Sequence, residues 1–238
     1  MKQFLVRLKN DVSQIFGYPI CAYGQDFSVD YQKYWERRRD SGTAVLTAWQ
    51  KQRAAEALKI ITPGATVMDI GCGDGAILDF MRSASRIKGI GVDIDSSILE
   101  SAKKLGVQTV CADINDLSAV DAFPAADYII AFEVLEHMPS PERFIAHILK
   151  KATQGLIFSV PNTGYYAHRL RLASGRFPLQ WVAHPGEHLR FWTVRDMRFW
   201  VASLGLKIEK LVLYQGLPVL NKIFPKLFSQ GMIVFIKK

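Results

Sequence analysis

The chain has 238 residues, of which 49% are hydrophobic and 22% are charged. These proportions suit one large domain with a buried core, and they exclude a disordered or low-complexity chain. The net charge of +8 favours an anionic partner, such as nucleic acid, an acidic small molecule or a membrane surface.

Three cysteines, Cys21, Cys72 and Cys111, lie far apart and form no C-x-x-C pair. Their odd number and wide spacing argue against a disulfide framework and a zinc finger, and favour a reducing compartment. Charged side chains interrupt the first apolar segment, so no signal peptide is expected, and no apolar run is as long as a transmembrane helix. We therefore expect a cytoplasmic protein.

Apolar residues between Phe4 and Phe16 recur at helical spacing, with basic residues between them. This pattern predicts an amphipathic helix. A basic, aromatic helix is predicted over residues 31–39, and residues 1–42 together are interpreted as an N-terminal helical extension. We expect the first helix to cover its own domain as a lid. The alternative that the sequence leaves open is contact with a membrane surface.

A long helix is predicted over residues 43–60, and beyond it strand-like and helical runs alternate. The strand-like runs before Pro161 are residues 66–70, 89–93, 108–111, 128–132 and 156–160. The helical patterns between them are residues 76–83, 96–105, with Ser96 as the expected N-cap, and 141–150. This alternation predicts a parallel sheet with helices on both faces.

The rhythm changes after Pro161. Residues 162–190 are rich in His, Arg, aromatic residues, Gly and Pro, and are interpreted as an insert. A helix over residues 193–204 and two late strands, 207–214 and 232–237, follow, and the late strands could pair antiparallel. The predicted fold class of residues 43–238 is therefore α/β, a Rossmann-like, seven-stranded, mostly parallel sheet with the insert after its fifth strand.

The segment V-M-D-I-G-C-G-D-G, residues 67–75, ends the first predicted strand and opens a helix. Glycines at Gly71, Gly73 and Gly75 allow a sharp turn and a close approach of the backbone to a ligand. The free N–H groups of a helix N-terminus suit an anionic group there.

Acidic residues stand at the ends of the next two predicted strands. Asp93 comes 18 residues after Gly75, where a carboxylate can accept hydrogen bonds from ribose hydroxyls. Asp113 and Ile114 follow the third strand, where an acidic and an apolar side chain suit the amino group and face of an adenine.

Together with E-V-L-E-H at residues 133–137, these motifs strongly resemble class I S-adenosylmethionine methyltransferases. The resemblance implies S-adenosylmethionine as the cofactor. The site residues that it implies are Asp69, Gly71 and Gly73 at the methionine part, Asp93 at the ribose, Ile94 at the adenine face, and Asp113 with Ile114 at the adenine edge. A nicotinamide-binding Rossmann protein is disfavoured, because the third glycine comes too early for G-x-G-x-x-G and Asp69 interrupts the apolar strand.

Glu133, Glu136 and His137 would share one face if E-V-L-E-H forms a helical turn, because positions i, i+3 and i+4 are neighbours. Two carboxylates and an imidazole suit a divalent cation such as Mg²⁺ or Mn²⁺. The alternative is that Glu133 contacts the cofactor and the histidine packs locally, as in class I methyltransferases that need no metal.

His188 precedes a Trp-Thr pair at a predicted helix start. E-V-L-E-H followed by H-x-x-x-W-T resembles metal-assisted O-methyltransferases, of which the small-RNA terminal 2′-O-methyltransferases and the ubiquinone-pathway enzymes are two groups. The former implies four metal ligands, Glu133, Glu136, His137 and His188. The cation would lower the pKa of an acceptor hydroxyl. Glu133, His137 and His188 are the predicted catalytic residues, and either histidine could be a general base if it is not a ligand.

Three functions remain open from the sequence. The leading hypothesis is O-methylation of a small molecule or of a glycan or lipid precursor, and the net charge would suit an anionic acceptor. Residues 159–178 resemble the MetW-like branch, which implies a partner or binding module of methionine biosynthesis. The third hypothesis is an RNA acceptor, because basic and aromatic residues alternate in the insert and could contact phosphates and stack on bases.

Overall fold

The computed structural model describes residues 2–17, 46–180 and 187–238. The predicted helix over residues 31–39 lies outside the described residues, as do the predicted domain boundary at residues 42 and 43 and residues 181–186 of the insert.

The described residues form a seven-stranded sheet and connecting helices. The strands are β1 (Thr66–Ile70), β2 (Lys88–Asp93), β3 (Gln108–Cys111), β4 (Ala126–Phe132), β5 (Ala152–Pro161), β6 (Ile208–Tyr214) and β7 (Gly231–Lys237). The helices are α1 (Lys2–Phe16), α2 (Ala48–Leu58), α3 (Ala76–Ser85), α4 (Ser96–Lys104), α5 (Leu117–Asp121), α6 (Pro141–Ile148), α7 (Tyr166–Ala173), α8 (Val194–Ser203), α9 (Leu220–Ile223) and α10 (Pro225–Phe228).

The strand order is β3-β2-β1-β4-β5-β7-β6. Strands β1 to β5 are parallel, and β7 is antiparallel to both of its neighbours. The predicted α/β class, the seven strands and the antiparallel late pair are therefore confirmed. Because β1, β4 and β5 run the same way and β7 runs back, the ends of the first three meet the start of β7 at one edge of the sheet.

Both faces of the sheet are covered by apolar packing. Met68 and Ile70 of β1 belong to one buried cluster, whereas Val67 belongs to the other. Alternate side chains of a strand point to opposite faces, so the two clusters lie on opposite sides of the sheet. This two-sided burial explains why the central strands read as nearly continuous apolar runs.

The N-cap that the sequence suggested for α4 is wrong. Asp95, not Ser96, caps α4, because its side chain accepts hydrogen bonds from the backbone N–H groups of Ser97 and Ile98. The predicted helix over residues 43–60 is described as α2, which begins after a capping box formed by Thr47 and Gln50.

Helix α1 forms as predicted and packs against α7 of the insert. The buried Asp11 accepts hydrogen bonds from the hydroxyl groups of Tyr165 and Tyr166 at 2.6 and 2.9 Å. Arg171 Nη1 donates to three backbone carbonyls at the end of α1, and Arg176 donates to the same helix end. The N-terminal helix is thus tied to the insert, while its role as a lid stays a prediction.

Among the described residues, no helix combines the length and the apolar character that a bilayer crossing requires.

Candidate active site

The glycine-rich turn lies between β1 and α3. Gly71, Gly73 and Gly75 all have positive φ, at 71°, 53° and 79°. A Cβ on Gly75 would lie 2.8 Å from Ala102 Cβ, so no larger residue fits where α3 begins beside α4. The backbone conformation and this close packing together explain the glycines.

Asp93 holds this turn in place. Its carboxylate accepts hydrogen bonds from Gly73 N at 2.9 Å and from Asp95 N at 3.1 Å. The next side chain, Ile94, is 62% exposed, although it is large and apolar. An exposed isoleucine beside an anchored carboxylate suits a ligand that has hydroxyl groups and a flat apolar ring.

Asp113 and Ile114, which the sequence predicted to border the adenine edge, follow the end of β3. The exposed Asp113 accepts hydrogen bonds from the backbone and side chain of Asn115. Ile114 is partly buried and packs against the core, so it is fixed at the same edge of the sheet.

Asp69 is buried at the end of β1, and its Oδ2 accepts no hydrogen bond from any described residue. Burial raises the pKa of this carboxyl to about 8, against the opposing charge of Arg53. A buried carboxylate oxygen without a hydrogen-bond donor is energetically costly, and it suits a cationic ligand group, such as the ammonium of a methionine moiety.

The Asp69 carboxyl should make stability fall with rising pH. Its pKa is raised in the folded chain, so the folded state binds more protons than the unfolded state between pH 4 and about 8. The free energy of unfolding of wild type relative to Asp69→Asn should therefore fall from pH 5 to pH 8, by up to about 1.4 kcal/mol per unit. Urea denaturation at both pH values measures this.

Glu100→Gln, an exposed carboxylate on α4, is the matched control and should follow the wild-type pH profile. Parallel pH profiles of wild type and Asp69→Asn would contradict the assignment of a buried, protonated Asp69.

A second buried cluster surrounds Glu133, which follows β4. Arg53 Nη1 of α2 lies 2.8 Å from Glu133 Oε1, and Ser159 Oγ donates to the same oxygen at 2.7 Å. Burial by itself would lower the pKa of Arg53, but the charges and hydrogen bonds of Glu133 and Tyr214 together outweigh burial, so the pKa is raised. The Arg53 and Glu133 pair lies where β4 ends and, through Ser159, meets the end of β5.

Glu133 also has a left-handed backbone, with φ of 56°. Non-glycine residues rarely adopt this conformation, and it is often found at functional sites. Sequence reasoning proposed Glu133 but missed Arg53, Ser159 and the nearby Tyr214, whose hydroxyl lies 3.4 Å from Glu133 Oε1.

The segment after Glu133 is a 3₁₀ turn, Leu135–His137, and not the α-helical turn that the sequence suggested. Glu133 precedes this turn, so it does not share a helical face with Glu136 and His137. One ligand atom from each of Glu136, His137 and His188 lies within 4.8 Å of the others. The structure thus brings together three of the four predicted metal ligands and directs the fourth, Glu133, to Arg53.

The insert is fastened to this turn through the backbone. Leu189 N and Arg190 N both donate to the carbonyl of Glu136, at 2.7 and 3.1 Å. His137 Nδ1 donates to the carbonyl of Glu187, which leaves Nε2 as the nitrogen with a free lone pair. These bonds place the ring of His188 4.7 Å from that of His137.

Glu136 is 1% exposed, and neither of its carboxylate oxygens accepts a hydrogen bond from a described residue. Burial, and then the charge of Glu133, raise the pKa of Glu136 well above its usual range. Burial also lowers the pKa of His188 to about 4, so this imidazole is neutral at physiological pH. An unpartnered buried carboxyl beside two imidazoles is a donor set that a divalent cation would satisfy.

The sequence model of one protein family, described as "Methyltransferase domain", matches residues 34–211. The chain belongs to this family. It is an S-adenosylmethionine-dependent methyltransferase, as the glycine turn and the acidic strand ends predicted.

Two curated proteins are similar to this chain over about two thirds of its length. The methyltransferase is 28% identical over 160 residues to the ubiquinone biosynthesis O-methyltransferase of Coxiella burnetii, a match that covers 63% of this chain and 67% of the relative. It is 26% identical over 173 residues to the bifunctional methionine biosynthesis protein MetXA/MetW of Rhodopirellula baltica, covering 66% of this chain but 27% of that protein.

The fold matches solved methyltransferases. Magnesium protoporphyrin IX methyltransferase from Synechocystis, solved with bound SAH, superposes with a TM-score of 0.60 at 18% identity. The superposition covers 87% of this chain and 94% of the other.

Proposed function

We propose that the methyltransferase transfers the methyl group of S-adenosylmethionine to a hydroxyl oxygen, and that Glu136, His137 and His188 hold a divalent cation beside the acceptor. The observation that carries the proposal is the buried Glu136 carboxyl, whose two oxygens lack donors although two imidazoles lie within 4.8 Å. When bound, the cation would lower the pKa of the acceptor hydroxyl. Two imidazoles and one carboxylate favour Mn²⁺ over Mg²⁺, which prefers oxygen ligands.

Other residues of the chain would bind the cofactor. Asp93 and Ile94 would hold the ribose and adenine, and Asp69 would receive the cofactor ammonium on its unpartnered oxygen. Asp113 and Ile114 would border the adenine edge. Holding donor and acceptor in line supplies much of the rate enhancement of such a transfer, because the reaction then needs no further encounter.

Glu133 fits the cofactor side better than the metal. Its carboxylate is already neutralised by Arg53, and its backbone lies where β4 ends, beside the glycine turn: a Cβ on Gly71 would come within 3.0 Å of Val134. We assign the Glu133 and Arg53 pair to the methionine end of the cofactor pocket, where a cation and an anion can bind an amino acid moiety.

The acceptor is proposed as a hydroxylated small molecule or a glycan or lipid precursor. The name of the ubiquinone biosynthesis relative supports transfer to oxygen. An RNA acceptor has less support, because Arg171 and Arg176 of the insert donate to backbone carbonyls of α1 instead of facing a groove for phosphates.

Methyl transfer to a pool of hydroxylated acceptors tests the proposal. The pool contains catechols, phenols and sugar derivatives, and labelled S-adenosylmethionine reports any product. We expect O-methylated products that form with Mn²⁺ and fail to form after chelation. Cofactor binding without transfer to any acceptor would favour the MetW-like binding module instead, for which the relative from Rhodopirellula baltica is the supporting observation.

A further inference from the structure

Helix α1 carries two apolar faces, although an amphipathic helix needs only one. Ile15 is buried against α7, and Phe4 and Leu8, at helical spacing from it, are partly buried. Leu5 and Phe16 lie on a different face and are 56% and 67% exposed. Packing against α7 therefore explains the apolar residues on one face of this helix but not those on the exposed face.

The exposed face of α1 includes Leu5, Val12 and Phe16, which are separated by seven and four residues and so lie along one side of the helix. Lys9 is exposed on the same helix. An apolar stripe bordered by basic side chains is typical of helices that lie in the interface of a bilayer.

A second group of exposed apolar side chains lies next to the start of α1. Gln3 lines the same groove, of about 570 Å³, as Lys222 and Ile223 of α9. Ile223 and Phe224 are both exposed, as is Val219 before them. Helix α10 in turn contacts α7, because the rings of Tyr166 and Phe228 lie 5.1 Å apart. Helix α7 thus contacts both α1 and α10, and α10 contacts α9. We call the exposed side chains of these four helices, together with the adjoining Val219 and Phe224, the apolar surface.

The exposed charges of the apolar surface are of one sign. Residues 162–180 and 215–238 contain no Asp or Glu. The single acidic residue of α1, Asp11, is buried and bonded to two tyrosines and to Arg7. The charged side chains that are exposed, Lys9, Arg169, Lys222 and Lys226, are all basic.

We propose that this apolar surface docks the methyltransferase on an anionic lipid bilayer. A bilayer offers apolar chains to the exposed aliphatic and aromatic side chains and anionic headgroups to the lysines, so it satisfies both features. A second copy of the chain would bring basic residues against basic residues, which repel. A nucleic acid would complement the positive charge but would leave the apolar side chains of Leu5 and Val12 exposed to water.

Sedimentation of the full chain with lipid vesicles tests the proposal. The assay contains neither cofactor nor methyl acceptor, so its result does not depend on whether the proposed methyl transfer is correct. We expect binding to vesicles of phosphatidylcholine mixed with phosphatidylglycerol and much weaker binding to phosphatidylcholine alone. Leu5→Ser/Val12→Ser/Phe16→Ser should reduce binding at least roughly tenfold. The three side chains are exposed, so the thermal midpoint should stay close to that of wild type.

Two matched controls distinguish binding through this surface from nonspecific binding of the protein to vesicles. Phe16→Ser should weaken binding, whereas Phe199→Ser, which removes a phenylalanine that is 77% exposed on α8, should not. Lys222→Gln/Lys226→Gln should lower affinity for anionic vesicles by roughly fivefold per lysine, whereas Lys103→Gln/Lys104→Gln on α4 should have little effect. Equal binding by all variants, no vesicle binding, or a concentration-dependent dimer that Phe16→Ser dissolves would overturn the proposal.

Discussion

Removal of divalent cations should abolish methyl transfer by this methyltransferase, and added Mn²⁺ should restore it. The reason is the buried Glu136 carboxyl, which has no donor among the described residues and lies with His137 and His188 in a group of three ligand atoms. A cation in such a group stabilises developing negative charge by several kcal/mol, so its loss should lower kcat at least about a hundredfold. Turnover with and without excess chelator, followed by Mn²⁺ addition, measures this.

Substitutions should reproduce the effect of chelation. Glu136→Gln and His188→Ala should each lower kcat to a similar extent while leaving the affinity for S-adenosylmethionine within about twofold, because neither side chain is assigned to the cofactor. His147→Ala is the matched control. This histidine lies on α6, bonded to Asp121 at 2.8 Å, and its loss should leave kcat near the wild-type value. Full activity of the wild type in excess chelator would contradict the metal proposal.

The sheet and the cofactor turn could be predicted because local signals determine them. The alternation of apolar runs with helical patterns predicts parallel strands, and β1 and β3 begin and end where the sequence indicated. The glycines of the cofactor turn could be predicted because their role is to adopt a left-handed backbone conformation, which other residues rarely adopt. Gly75, for example, has a φ of 79°.

Contacts between distant segments were harder to predict. Arg53 and Glu133 are 80 positions apart in the sequence. Nothing in the sequence of α2 around Arg53 shows whether this arginine forms a buried ion pair or is exposed to solvent. The left-handed backbone of Glu133 also has no sequence signal, since glutamate has no preference for that conformation. The convergence of His188 on Glu136 was foreseen only through resemblance to known families, because it depends on two backbone bonds from the insert to one carbonyl.

The apolar pattern of α1 was read as one face, and the structure divides it into two. Helical spacing alone cannot assign an apolar residue to the inner or the outer side of a helix when both sides are apolar. Ile15 packs inward and Phe16 is exposed, although they are neighbours in the same motif. The lid and membrane hypotheses, which the sequence presented as alternatives, are therefore compatible, one for each face of the helix.

Replacing Asp93 with alanine should lower the affinity for S-adenosylhomocysteine at least about tenfold. The Asp93 carboxylate is already oriented by Gly73 N and Asp95 N, and each oxygen retains a lone pair that can accept from a ribose hydroxyl. A hydrogen bond to a charged group contributes roughly 1.5–3 kcal/mol, so even one lost bond corresponds to about a tenfold change. Isothermal titration calorimetry with S-adenosylhomocysteine gives the dissociation constant of each variant.

Two further variants separate ribose binding from support of the glycine turn, since Asp93→Ala removes both. Asp93→Asn keeps a carbonyl acceptor that can still hold Gly73 N, so it should retain the turn and show an intermediate affinity. Asp95→Ala is the control for the neighbouring carboxylate. It removes the N-cap of α4 and should cost about 1 kcal/mol of stability, with the affinity for S-adenosylhomocysteine changing less than about threefold. If Asp93→Ala bound S-adenosylhomocysteine as tightly as wild type, the ribose would have to lie elsewhere along the carboxyl edge of the sheet.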